Sequence, residues 1–255
     1  MTTQKPRTPI VHRSTQRVLD ILSTLSETDN GMSMSDICRK LSIPKGSLSP
    51  ILHTMTQMGY VAYEQTTARY SLGLRSFLLA SSYERKGGIL PVFKKAMHQI
   101  VDICDETCQL GILEYARVLY IAKVDSAQPV QLKSNIGKTL GISYTAIGKV
   151  LIADLSDEDV HSLVGEKLEA PTKHAAKTAD ELISQLVEVR KTGFGYDREE
   201  TTEGVQCIAV PIYSHKHALY GLSVTLPSYR LTSEKEELIK HELLQAKKHI
   251  EQLIH

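Results

Sequence analysis

The stretch SMSDICRKLSIPKGSLSPILHTMTQ, from Ser33 to Gln57, leaves few structures open. Ser33 can cap a helix, and Asp36, three residues on, completes a capping box. Ile37 and Leu41 then share one apolar face at i, i+4. Pro44 biases Ile43 away from helix, so this first helix ends near Leu41. A second helix follows, with Leu48, Ile51, Leu52 and Met55 as its buried stripe. Its other face presents Lys45, Ser47, Ser49, His53, Thr54 and Gln57, with no carboxylate among them. Hydrogen-bonding side chains without negative charge suit a helix that lies against phosphates and base edges in a major groove. A helical hairpin with a solvated outer face has the same local pattern, so the flanks decide.

The flanks complete a known arrangement. Ser14 or Thr15 opens an earlier helix through about Thr28, with Val18, Leu19, Ile21, Leu22 and Leu25 on one face. Gly59 closes the second helix of the pair. Tyr60–Tyr63 and Ala68–Leu72 then read as strands around a polar loop. A hairpin directly after a helix pair is a wing, and Arg69 sits where a wing reaches a backbone or minor groove. Residues 1–75 hold nine Lys/Arg against five Asp/Glu, a net +4, while the remainder carries twenty-one against twenty-four, a net −3. A basic module on an acidic remainder fits a nucleic-acid partner.

The rest of the chain reads as a second domain. Leu74 to Arg85 is a helical connector bearing Leu74, Phe77 and Leu78, and Gly87-Gly88 breaks it. The expected division is 1–73 for the winged helix-turn-helix, 74–88 for the linker helix and 89–255 for a second domain, with a frayed tail over 1–9. A helix from Pro91 to about Thr107 precedes a hairpin, Cys108–Tyr115 with Val118–Val124, and a further strand over Val130–Ser134. A short helix opens at Ser143 or Tyr144 and runs to about Leu155. Ser156-x-x-Asp159 and Thr178-x-x-Glu181 are capping boxes. The run Asp197–Glu200 reads as a solvated turn. Val205–Tyr213 and Ala218–Leu226 are long apolar strands, and a last helix spans about Ser233 to Leu253. The order predicts an α+β fold, an antiparallel sheet with helices packed on it.

At 255 residues, 42% hydrophobic and 23% charged, the chain has the composition of a globular protein of one or two domains. It holds no apolar run near the roughly 18 residues of a membrane span, and its start lacks the apolar core of a signal peptide. A cytoplasmic protein is expected. Cys38, Cys104, Cys108 and Cys207 form no CxxC pair and are expected as free thiols. Cys104, Cys108 and His98 on one predicted helix form a possible soft-metal set, but two buried thiols at i, i+4 are the simpler reading. No GxSxG, P-loop, GxGxxG or HExxH motif is present, and no cofactor is expected. Cys207 as a nucleophile is the competing enzymatic reading, and it needs a base or cation beside it.

Read together, QRVLDIL, SMSDICRKLSIPKGSL, QMGYVAY, RYSLG, GKTLGISYTAIGKVLIA, EVRKTGFGYDREETTEGVQCIAVPIY and GLSVTLP resemble the IclR family of bacterial transcription regulators, from about Gln16 to Leu231. The resemblance implies a winged helix-turn-helix, a linker helix and a GAF-like effector-binding domain. It implies a homodimer or homotetramer on double-stranded, palindromic DNA, and no enzymatic activity. It also implies a small organic-acid effector held between the TLGISYTAIGK segment and the sheet. Leu140, Ala146, Ile147 and Val205 would be the apolar walls, and Asp197, Cys207, Ser223 and Thr225 the polar contacts. N–H groups near Thr145–Ile147 would meet a carboxylate. The DNA contacts would be Lys45, Gly46, Ser47, Ser49, His53, Thr54 and Arg69. Gly46-Ser47 and Pro50 depart from the Lys-Ser-Thr and Arg common in the family recognition helix, so this helix is expected to begin late, near Ser47, or to kink. Ile142 and Tyr144 replace a Pro and a small residue, and Tyr144 either shrinks the cavity or stacks on a ligand. A DNA-binding architectural protein without ligand response is the remaining alternative.

Overall fold

The computed structural model describes residues 12–28, 30–85, 88–129, 136–215 and 217–254. The expected tail over 1–9 and the strand expected at Val130–Ser134 lie outside these. The chain divides into two compact units that meet between Gly88 and Ile89. Among the described residues no helix is long and apolar enough to cross a membrane.

In the first unit, α1 (Arg13–Ser26) buries Ile21, Thr24 and Leu25. Its N-cap is His12, without a capping side chain, rather than Ser14 or Thr15. Thr15 lies inside the first turn, where its hydroxyl meets His12 Nδ1 at 3.1 Å. A two-residue strand, β1 (Met32–Ser33), leads into α2 (Met34–Leu41). Ser33 accepts the Asp36 N–H at 3.2 Å and donates to Asp36 Oδ2 at 2.7 Å. Ser42, left-handed at φ 53°, ends that helix.

The third helix, α3 (Lys45–Gln57), begins two residues earlier than its proline suggested. Pro44 acts as N-cap, and its carbonyl accepts from Ser47 and Leu48 N–H at 2.9 and 3.0 Å. Pro50 stays inside the helix. The bond its ring removes is one to the carbonyl of exposed Gly46, where water can replace it. Strands β2 (Val61–Glu64) and β3 (Arg69–Leu72) form the wing, with β3 between β1 and β2. Helix α4 (Leu74–Arg85) follows. Ile21, Leu25, Ile37, Leu48, Leu52, Met55 and Val61 make one core for this unit.

The second unit opens with α5 (Leu90–Cys104), then the hairpin β4 (Thr107–Glu114) and β5 (Arg117–Val124), then β6 (Thr139–Gly141). Helices α6 (Ala146–Ile152), α7 (Asp157–Val164) and α8 (Ala179–Thr192) follow, then β7 (Gly195–Arg198), β8 (Val205–Ser214), β9 (His217–Pro227) and α9 (Ser233–Leu253). The sheet order is β6-β5-β4-β9-β8-β7, antiparallel throughout. Strand alternation sorts its two faces. Ile208, Val210, Leu222 and Val224 pack with α5 and α9 around Phe93, Met97, Ile239 and Leu243. Cys207, Ala209, Val118 and Tyr120 pack with α6 and α8.

Three expectations change here. The helix placed at Ser143 or Tyr144 begins at Ala146, because the Thr145 hydroxyl caps it, accepting the Gly148 N–H at 3.1 Å. The run Asp197–Glu200 is no solvated turn: its first two residues close the edge strand β7, and Asp197 and Glu200 are buried. Charge misled the local pattern, because the cation that neutralises Glu200, Lys149, comes from a distant segment. Cys108 also belongs to β4 rather than to the helix carrying Cys104. His98 is exposed while both thiols are buried, so the three do not converge on a metal.

Candidate nucleic-acid interface and ligand cavity

Helix α3 is divided lengthwise. Leu48, Leu52 and Met55 face the core, while Lys45, Gly46, Ser49, Pro50, His53, Thr54 and Gln57 are exposed and Ser47 is half-buried. Lys45, Ser49 and His53 recur at four-residue spacing and so form one stripe. The Thr54 hydroxyl is turned back, donating to the Pro50 carbonyl at 2.9 Å. Arg69 is exposed on the wing, and one of its N–H groups donates to the Gly31 carbonyl at 2.7 Å. That bond ties the wing's middle strand to the turn before α2 and leaves the remaining guanidinium donors on the surface.

The second unit contains a cavity of about 230 Å³ between α6 and the sheet. All eight residues expected from the resemblance line it: Leu140, Ala146, Ile147, Asp197, Val205, Cys207, Ser223 and Thr225. The register explains why the polar ones meet. Asp197 lies opposite Cys207, Cys207 opposite Thr225, and Ser223 opposite Gln109, so these side chains form adjacent rows on one face. The glycines of β4 and β9 set the depth. A Cβ at Gly221 would stand 2.6 Å from Ile147 Cγ2, and one at Gly111 would stand 3.2 Å from the same atom. Their absence lets the first turn of α6 rest close on the sheet.

A hydrogen-bonded chain runs along one wall. The Thr225 hydroxyl reaches Gln109 Oε1 at 3.1 Å and Cys207 Sγ at 3.2 Å. Cys207 Sγ in turn lies 3.7 Å from Asp197 Oδ2, the thiol donating. Asp197 Oδ1 accepts the N–H groups of Glu200 at 2.7 Å and Thr201 at 3.2 Å. Burial raises the Asp197 pKa above its ordinary value, against the pull of the Thr201 and Glu200 hydrogen bonds. Burial also pushes the Cys207 thiol well up, and the Asp197 carboxylate adds to that. The conditions for a thiolate nucleophile are therefore inverted at Cys207.

Thr145, expected only through its backbone, also lines the cavity, and sequence reasoning missed Gln109, Tyr120, Lys138, Thr201 and Thr202, which complete the lining. Gln109 and Tyr120 sit on strands whose inward positions were legible from alternation, but nothing local marks which end of a strand meets a cavity. Lys138 is exposed, a cation at the rim. Tyr144 neither shrinks the cavity nor faces it. Its ring packs against Gly141, where a Cβ would stand 2.4 Å away, and its hydroxyl donates to Glu169 Oε2 at 3.2 Å.

Comparison with known proteins agrees with both halves. The family described as bacterial transcriptional regulator IclR C-terminal matches residues 82–252, and the IclR helix-turn-helix domain matches residues 14–65. The HTH-type transcriptional regulator KdgR of Dickeya chrysanthemi is 32% identical over 231 residues, covering 90% of this chain and 74% of that protein. The crystal structure of an IclR regulator from Alicyclobacillus acidocaldarius superposes with a TM-score of 0.88 at 20% identity, over 96% of this chain and 100% of the other. An IclR homologue from Microbacterium hydrocarbonoxydans, solved in complex with 4-hydroxybenzoate, superposes with a TM-score of 0.80 at 20% identity, over 93% and 98% of the two chains. A winged helix pair with a carboxylate-free exposed face, a cavity on an antiparallel sheet and these matches have one conclusion: the chain belongs to the IclR family of DNA-binding bacterial transcriptional regulators, a family without enzymatic activity.

Proposed function

We propose that the chain is a repressor, acting in the cytoplasm, whose affinity for a palindromic operator is set by a small organic acid bound in the cavity. The cavity carries this reading. Its volume of about 230 Å³ lies below the roughly 300–1,000 Å³ of sites for drug-sized molecules, so its ligand is small. Leu140, Ala146, Ile147 and Val205 supply apolar wall, and the hydroxyls of Tyr120 and Ser223, both buried, supply polar contacts. Lys138 at the rim and the N–H groups of Ala146 and Ile147, ahead of the capped Gly148, suit an anionic end. The 4-hydroxybenzoate held by the homologue from M. hydrocarbonoxydans is an acid of this kind.

On the DNA side, Lys45, Gly46, Ser47, Ser49, His53 and Thr54 would meet the major groove, and Arg69 the backbone beside it. Leu74, Phe77, Leu78 and Leu79 are all exposed on α4. A cluster of this kind on one helix favours association of two chains, as a two-fold operator requires. Repression needs only that the bound dimer occlude a promoter, whereas activation needs a further protein contact. The effector acts only as far as it binds one arrangement of the dimer better than another.

The test is a thermal-shift screen of the full chain against small carboxylic acids, with each hit added to an operator gel shift. A hit that stabilises the protein and weakens the operator complex supports the reading. Specific operator binding with no stabilising acid would favour the architectural alternative.

A further inference from the structure

Beneath the cavity, the ammonium of Lys149 and the carboxylate of Glu200 form an ion pair whose side chains are 2% and 4% exposed. Neither residue lines the cavity, yet each belongs to one of its walls. Lys149 is on α6, one turn after Ala146 and Ile147. Glu200 lies between Asp197 and Thr201-Thr202, which form the facing wall. The same ammonium donates to the Tyr196 carbonyl at 2.8 Å, so it grips the backbone of β7 as well.

The wall has other ties. Thr172 donates to the Glu199 carbonyl at 2.7 Å, and Thr201 donates to the Tyr144 carbonyl at 3.0 Å. Glu199 itself is held left-handed, at φ 65°. None of these ties reaches α6. Of the side-chain hydrogen bonds described for residues 196–202, those to α6 come from Lys149. A buried ion pair adds little net stability over apolar side chains of the same volume. What it does supply is direction: an ammonium fixes two acceptors at set positions, where an apolar contact would let them slide.

We propose that Lys149 is a positioning residue of the effector cavity. Through Glu200 and the Tyr196 carbonyl it locks the 197–202 wall to α6, so a ligand touching either wall is felt by both. The proposal rests on the effector reading of the cavity. Its test uses no ligand, so the failure of one is distinguishable from the failure of the other.

The experiment is amide hydrogen exchange on the full chain, comparing wild type with Lys149→Met, Lys149→Arg and the double variant Lys149→Met/Glu200→Gln. The double variant removes both charges and so keeps a folded comparison if Lys149→Met alone does not fold. The expected result is exchange faster by about ten-fold or more at Glu200, Thr201 and Gly204, with β4, β5 and α9 unchanged. Lys149→Arg, which keeps charge and donors, restores the wild-type pattern. Wild-type exchange at those three amides in the double variant would overturn the proposal. So would a uniform rise across the whole domain, the mark of a merely stabilising role.

Discussion

Cys207 and Asp197 face each other across the β7–β8 ladder, with the thiol donating to Asp197 Oδ2 across 3.7 Å. Burial and that carboxylate both hold the thiol in its protonated form. Iodoacetamide at neutral pH should therefore modify Cys207 more than about ten-fold slower than an unfolded control peptide. Cys207→Ser keeps a donor and acceptor in place and should retain operator binding. Mass spectrometry of the labelled protein checks the first, and fast labelling of Cys207 alone would contradict it.

Asp197 is an acid whose pKa is raised in the folded state, chiefly by burial. The native state then holds a proton over a pH window that opens at the unfolded carboxylate value and closes at the folded one. Folding stability contributed here is greatest below that window and falls as pH rises through it, with a slope of at most about 1.4 kcal/mol per pH unit. Asp197→Asn still accepts the Glu200 and Thr201 N–H groups and removes the titration. Urea unfolding from pH 4 to 7 should show the variant gaining on wild type as pH rises. A constant difference across that range would count against it.

The Ser33 cap is separable from DNA contact, since Ser33 is half-buried and its hydroxyl is taken up by Asp36. Ser33→Ala should cost about 1 kcal/mol. The loss should appear in denaturant unfolding of the first unit, with the second unit's transition unmoved.

Ala146 is 2% exposed and lines the cavity. Ala146→Leu fills part of about 230 Å³ with three further carbons. In a reporter strain the variant should repress normally and no longer respond to inducer. Wild-type induction would place the effector elsewhere.

Much of the first unit was legible because its signals are local. Ser33 and Asp36 lie three apart, Leu48, Leu52 and Met55 repeat at helical spacing, and the wing hairpin closes over four residues. Pro50 misled because its cost depends on Gly46 being exposed, which no local pattern states. The second unit was legible where alternation ran long, as in β8 and β9. Strands of three or four residues, β6 and β7, carry too little pattern, and β7 is charged. Glu200 read as solvent-facing because Lys149, fifty-one residues away, is invisible to a local window. The cavity residues came from family resemblance. Gln109 and Tyr120 escaped it because their role follows from strand order, which places β4 beside β9 and β5 beside β4.

The exposed face of α3 is the basis of DNA recognition in this account, and Lys45 is its cation. In fluorescence anisotropy, Lys45→Ala should weaken binding to specific and random duplex alike and reduce the salt slope by about 1. Ser49→Ala and His53→Ala should instead narrow the gap between specific and random duplex.

The most direct measurement is selection of random duplexes by the full-length protein at about 50 mM salt, where phosphate contacts are strong. Enrichment of a two-fold symmetric sequence, lost in a Ser49→Ala/His53→Ala variant that remains folded, is the predicted result. A folded wild-type protein that enriches no sequence, or a variant that selects the same one, would contradict it.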